Sequence, residues 1–208
     1  MGNFRSTGLT STLLLIIVLV IIFAVASEIT GETTGTDSTS EDYDQIVGDI
    51  VDELSTYIQI KDQKGKFYGP IGNQKIQKIA LLISPMATQN IDFSQLTIQI
   101  DNGKMINIMY YEDSADIGSN HLFEHNIWSD LNGSNYSLIS INDYDSSISE
   151  YDTINKNSDL AYLVFELPSN FYMEKYDELK VTLFPSTGIT RSVLLKAPMP
   201  MKSVITFE

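Results

Sequence analysis

Between Arg5 and Lys61 the chain carries no Lys or Arg, and inside that gap the stretch from Ser6 to Ser27 has no charged residue at all. Its centre, Leu13 through Ala26, contains no polar residue. At about 1.5 Å rise per residue, a helix over 6–27 is roughly 33 Å long, enough to cross the hydrocarbon core of a bilayer. A helix that is apolar on every side must lie in lipid or among other helices. The charges around it set its direction. Arg5 precedes the run, whereas Glu28, Glu32, Asp37, Glu41, Asp42 and Asp44 follow it. Basic residues stay on the cytoplasmic side, so the N-terminus is expected inside and the remainder outside. A cleaved signal peptide is the rival reading, because Ala24-Val25-Ala26 has the small-residue pattern of a cleavage site. The length of the run and the single basic residue before it argue against that rival.

The 208 residues leave room for this helix and one domain of about 150 residues. A net charge of −14 lacks the basic footprint that nucleic-acid binding needs. The absence of cysteine excludes disulfides, thiolate metal sites and a cysteine nucleophile. The expected organisation is an N-terminal segment over 1–56 and an outer β domain over 57–208. Within the first, the hydrophobic run 6–27 is followed by a polar segment, 28–39, in which Gly31 and Gly35 weaken a free helix by about 1 kcal/mol each relative to Ala. An amphipathic helix is expected over 40–55. There Tyr43, Ile46, Val47, Ile50, Val51 and Leu54 recur at helical spacing, with Ser40 as N-cap and acids at the positive dipole end. That stripe fits either packing on its own β domain or a helix–helix contact continuing from the apolar run.

From Tyr57 onward the pattern is β. Strands are predicted over 57–61, 76–84, 96–101, 105–111, 137–142, 160–167, 178–184, 190–196 and 203–207. Leu96-Thr97-Ile98-Gln99-Ile100 alternates as a half-buried strand does, and Asn102-Gly103 marks a tight hairpin. Short strands without an interior helical pattern predict an antiparallel, immunoglobulin-like β-sandwich. The fold class is therefore α+β: a long N-terminal hydrophobic α-helix followed by that sandwich. The stretch 112–159, rich in Asn, Asp and Ser, reads as long loops around one strand.

Candidate chemistry is sparse. His121-Leu122-Phe123-Glu124-His125 fits the inverted zinc-peptidase pattern H-x-x-E-H, which requires a long helix and a third ligand from another helix. It lies in a loop-rich part of a β domain and holds the only histidines, so it reads as a chance match. Asp143, Asp145, Ser147 and Ser149, near Glu150 and Asp152, offer oxygen ligands that calcium favours, but the Gly and terminal Glu of an EF-hand loop are missing. They read as an acidic, solvated loop. No phosphate loop or nucleophile elbow stands out, so no enzyme, metal or cofactor is expected. Asn132-Gly133-Ser134 and Asn135-Tyr136-Ser137 are N-glycosylation sequons in a predicted surface loop, which makes Asn132 and Asn135 candidate glycan carriers.

The stretch Thr7-Gly8-Leu9-Thr10-Ser11-Thr12-Leu13-Leu14-Leu15-Ile16 resembles the start of mature archaeal flagellins (archaellins), where a Gly-containing turn leads into the apolar helix. Gln77 to Pro85 followed by Asn90 to Ile98 resembles that family's first sandwich strands and their connector. Asp159 to Phe165, Leu179 to Pro185 and the final Pro-rich turn into a strand resemble its closing strands. The similarity spans nearly the whole chain.

This resemblance implies a filament subunit of the archaellum, within the type IV pilin-like superfamily, that serves swimming. It implies helices packed in the filament core through Leu13, Ile16, Ile17, Val20, Phe23 and Ala24, with sandwiches outside. The implied partners are further copies of the chain, alone or with related archaellins, the membrane before assembly, a prepilin-type peptidase that trims a short basic leader, an assembly ATPase and an N-linked glycan. Two features depart from the family pattern. One basic residue stands before the helix instead of a cluster, which places Met1 near the mature start, and 31–39 is unusually polar for mid-helix. The competing readings are an adhesive archaeal pilin, a membrane-anchored accessory or stator protein acting against the S-layer, and a tethered binding or hydrolytic domain using His121 and His125.

Overall fold

A computed structural model describes residues 57–207 except 71, 87, 89, 187 and 201. The segments 6–27, 28–39 and 40–55 lie outside the described residues, and with them the filament-core positions. Among the described residues no helix is long and apolar enough to cross a membrane.

The strands are β1 (Ile58–Tyr68), β2 (Lys75–Pro85), β3 (Ile91–Asp92), β4 (Thr97–Asp101), β5 (Ile106–Asp116), β6 (Asn135–Asn142), β7 (Thr153–Ile154), β8 (Leu160–Glu166), β9 (Glu178–Phe184), β10 (Arg191–Lys196) and β11 (Val204–Thr206). Nine of them form one sheet in the order β10-β9-β4-β5-β6-β8-β2-β1-β11, and β3 pairs with β7 alone. The predicted all-antiparallel arrangement is corrected at one place. β5 runs antiparallel to β4 over Ile106–Tyr110, then continues as the parallel neighbour of β6, from Tyr110 opposite Asn135 to Asp116 opposite Ser140. A register shift between Tyr111 and Ser114 marks the change of partner. Such an irregularity bends a strand and sharpens its twist.

The curl brings both ends of the sheet to one core. Ile98 and Ile100 of β4, Val181 and Leu183 of β9 and Leu195 of β10 share a buried cluster with Tyr136 and Leu138 of β6, Leu163 and Phe165 of β8, and Ile79, Leu81 and Ile83 of β2. Tyr136 closes one side of this cluster. Its hydroxyl lies 2.9 Å from the carbonyl oxygens of both Phe93 and Leu96, so the ring is buried with its polar tip satisfied.

The two halves of the sheet differ on their outer faces. Over β2, β6 and β8 a second cluster forms: Ala80, Ile139, Tyr162 and Val164 are covered by Phe123, Ile127, Trp128 and Leu131. The cover consists of 3-10 turns at Leu122–Glu124 and Asn126–Ser129. Phe123 stacks on Trp128 with ring centroids 5.6 Å apart, and the indole N–H donates to the Leu122 carbonyl at 2.7 Å. Strands buried on both faces need apolar residues at successive positions, which is why β2 reads Ile79-Ala80-Leu81-Leu82-Ile83. On the other half, β4 keeps a strict alternation of buried and partly exposed residues.

The region 112–159, expected to be mostly loop, is more ordered than its composition indicates. It contains the end of β5, the covering turns, β6, the short helix α1 (Ser147–Tyr151) and β7. The Asn102-Gly103 hairpin is present, with Gly103 at φ +78 and the Asn102 side chain accepting from the N–H groups of Lys104 and Met105.

Candidate functional site

The two sequons differ sharply in accessibility. Asn132 is exposed, and its Oδ1 accepts from the Ser134 N–H at 3.0 Å, which leaves the side-chain nitrogen facing solvent. Asn135 is buried at the start of β6. Its Nδ2 donates to Glu112 Oε2 and to the Asp130 carbonyl, each at 3.0 Å, and its Oδ1 accepts from Asn132 N–H at 3.0 Å. Ser137, which completes that second sequon, is fully buried. Of the two sequon asparagines, Asn132 alone is exposed in the folded domain.

Around α1 the acidic residues do defined work. Asp143 accepts from the N–H groups of Ser147, Ile148 and Ser149, so it holds the start of the helix. Asp145 receives Lys156 Nζ at 2.6 Å and Asn155 Nδ2 at 3.1 Å. The hydrogen bond from Lys156 pulls the Asp145 ionisation well below the usual carboxylate range. Asp159 is completely buried. One of its oxygens accepts from the N–H groups of Asn155 and Lys156, while the other, Oδ1, has no partner among the described residues. Asp143, Asp145 and Asp159 bring carboxylate oxygens within 4.8 Å of one another. These are oxygen donors of the kind a hard cation takes, with Asp145 already paired to Lys156. Asp159 was not among the sequence candidates, because it stands well beyond the alternating 143–149 stretch and joins it only through the fold. Asp152 serves a different purpose, accepting from the Tyr111 hydroxyl.

The histidines do not form a helical pair. His121 is exposed, and the motif bends through a 3-10 turn with extended residues at both ends. His125 is buried and uses both ring nitrogens structurally. Nδ1 accepts from the Ile127 N–H at 3.2 Å, and Nε2 pairs with the Asp116 carbonyl at 3.0 Å.

The family model described as archaeal-type flagellin matches residues 6–194, and so spans both the apolar run and most of the β domain. This chain belongs to the archaeal-type flagellin family. The crystal structure of archaeal flagellin FlaB1 from Methanocaldococcus jannaschii matches this flagellin with a TM-score of 0.65 and 21% identity, covering 72% of this chain and 95% of that one. The archaeal flagellum of Methanospirillum hungatei matches with a TM-score of 0.52 and 9% identity, covering 98% of this chain and 100% of that one. At these identities the likeness concerns the fold. Among curated protein sequences none matches this flagellin. Archaeal flagellins are structural filament proteins.

Proposed function

We propose that the chain is a structural subunit, not a catalyst, that polymerises into the extracellular helical filament of the archaellum and so serves swimming. The observation that carries this reading is the flagellin family match over 6–194, which takes in the apolar N-terminal run together with the β domain. In this reading the run waits in the membrane as a precursor, a prepilin-type peptidase trims the chain, and an assembly ATPase drives its addition to the filament base. Leu13, Ile16, Ile17, Val20, Phe23 and Ala24 then pack against other copies in the core, and the β domain is an immunoglobulin-like sandwich on the outside.

The physics of transfer supports a division of labour. Moving an apolar helix from lipid into a bundle exchanges one apolar surrounding for another, so hydrophobic burial contributes little and close packing must hold the core. Contacts between outer domains must supply the rest. Asn132 carries the glycan in this reading, and the net charge of −14 keeps neighbouring filaments apart by like-charge repulsion.

Electron microscopy of filaments sheared from the source cells, with mass spectrometry of their protein, tests the reading. It stands if this chain is the major component. Recovery only as a minor membrane species would turn it into an anchor or stator, and a deletion strain that swims but no longer adheres would turn it into an adhesive pilin.

A further inference from the structure

The outer face that the described residues leave uncovered and the acidic segment they project are chemically opposite. On β5, Ile106, Ile108 and Tyr110 point outward with 61%, 47% and 59% of their surface exposed. Register carries this stripe across the sheet. Tyr110 stands opposite Thr97 and then Phe184, and Ile106 stands opposite Asp101, then Lys180, then Leu194. Phe184 and Leu194 are exposed too. The equivalent face of the other half of the sheet is sealed by the chain's own turns, so the exposure here is local. Lys104 and Lys180 are exposed on this side, with Asp101 opposite Lys180 in the register and Glu178 paired with Lys196 at 2.9 Å.

Between Glu112 and Asp159, by contrast, stand ten carboxylates and a single cation, Lys156. The part of this segment around α1 presents Tyr144 and Tyr151, 84% and 69% exposed, beside the exposed Glu150. Tyrosine is enriched at interfaces because it buries a large ring while keeping a polar tip. A chain of net charge −14 cannot bring two acidic surfaces together without repulsion, whereas an apolar face that carries Lys104 and Lys180 is complementary to an acidic, tyrosine-bearing loop.

We propose that in the filament the outer face of β10-β9-β4-β5, centred on Ile108, receives the 143–152 loop of a neighbouring copy of this chain, with Tyr144 and Tyr151 on the apolar stripe and Glu150 facing Lys180. The proposal rests on the filament reading and deepens it by naming which surfaces meet. Two different patches in contact make a head-to-tail interface, the kind that propagates into an open helix instead of closing into a dimer.

The chain has no cysteine, so introduced thiols report cleanly. Filaments sheared from cells producing full-length Ile108→Cys/Tyr144→Cys, treated with a short bismaleimide, are expected to run as a ladder of dimers, trimers and higher species. Either single variant is expected to run as monomer. Filaments of the double variant that stay monomeric after treatment overturn the choice of surfaces and leave the filament reading intact, whereas absence of the wild-type chain from any filament removes both. Should the double variant not assemble, charge exchange decides. Lys180→Glu and Glu150→Lys are each expected to lower filament yield, and their combination to restore it. Unchanged yield in the single variants, or no recovery in the pair, overturns the proposal.

Discussion

Gly65 and Phe207 occupy one space in the core. A Cβ built on Gly65 would lie 2.9 Å from Cζ of the Phe207 ring and 3.2 Å from Cγ2 of Ile76. Gly65 sits at an inward register position between Ile79 and Ile205, so the last described residue of the chain fills the volume that β1 leaves open. The Phe207 N–H donates to the Gln63 carbonyl at 2.9 Å and fixes the ring there.

Gly65→Ala is therefore expected to destabilise the domain by about 1–3 kcal/mol through overpacking. Phe207→Ala is expected to cost about 3–5 kcal/mol through the cavity it leaves. Combined, the two should cost less than their sum, because the methyl then has room. Urea unfolding of the detergent-solubilised full-length protein measures all three, and strict additivity would show that the side chains do not compete.

Alkaline pH is expected to weaken the fold through Tyr136. Burial, with the neighbouring Tyr111 and Asp92, pushes its ionisation far above the ordinary tyrosine range. In the unfolded chain a tyrosine ionises near pH 10, with a value of about 10. The folded state then holds a proton that the unfolded state releases. Stability is intact below about pH 10 and falls above it, at up to about 1.4 kcal/mol per pH unit. Urea midpoints across this range should fall less steeply for Tyr136→Phe than for wild type. An identical alkaline limb in the variant would assign the effect elsewhere.

The sequons should behave differently on substitution. Asn132→Gln is expected to remove the glycan mass from filament protein without altering stability. Asn135→Gln is expected to keep that mass but lose about 1–3 kcal/mol, because Glu112 and the backbone groups it serves are left unpaired. Intact-mass spectrometry decides, and retention of the glycan in Asn132→Gln would move it to another residue.

A cation held by Asp143, Asp145 and Asp159 would stabilise the domain. At about ten times its Kd a bound ion adds about 1.4 kcal/mol, and for a domain of this size that is a rise in Tm of about 3–6 °C. Chelation should reverse the rise and Asp159→Asn should abolish it. Equal Tm values in chelator and in calcium would show that these carboxylates hold no cation.

The β architecture was largely legible from the chain because alternation and apolar runs report burial directly. Leu96 to Ile100 alternates because one face meets the core, and the unbroken run at Ile79 to Ile83 matches a strand covered on both sides. The strand predicted over 57–61 ends before Asp62-Gln63-Lys64-Gly65-Lys66, a stretch without an apolar side chain, whereas β1 continues through it. Its pairing with β2 and β11 keeps it extended to Tyr68, with the lysines on the outer face and Gly65 inward.

The sequence by itself determined most of the strands, the charge contrast between 112–159 and its flanks, and the family resemblance, because each of these is written in local residue order. Only the tertiary structure decided that β5 changes partners to run parallel with β6, that Asn135 is locked while Asn132 is free, and that Asp159 joins Asp143 and Asp145. Those outcomes depend on which surfaces the curl of the sheet brings together, and local periodicity carries no record of a meeting between residues distant in the chain.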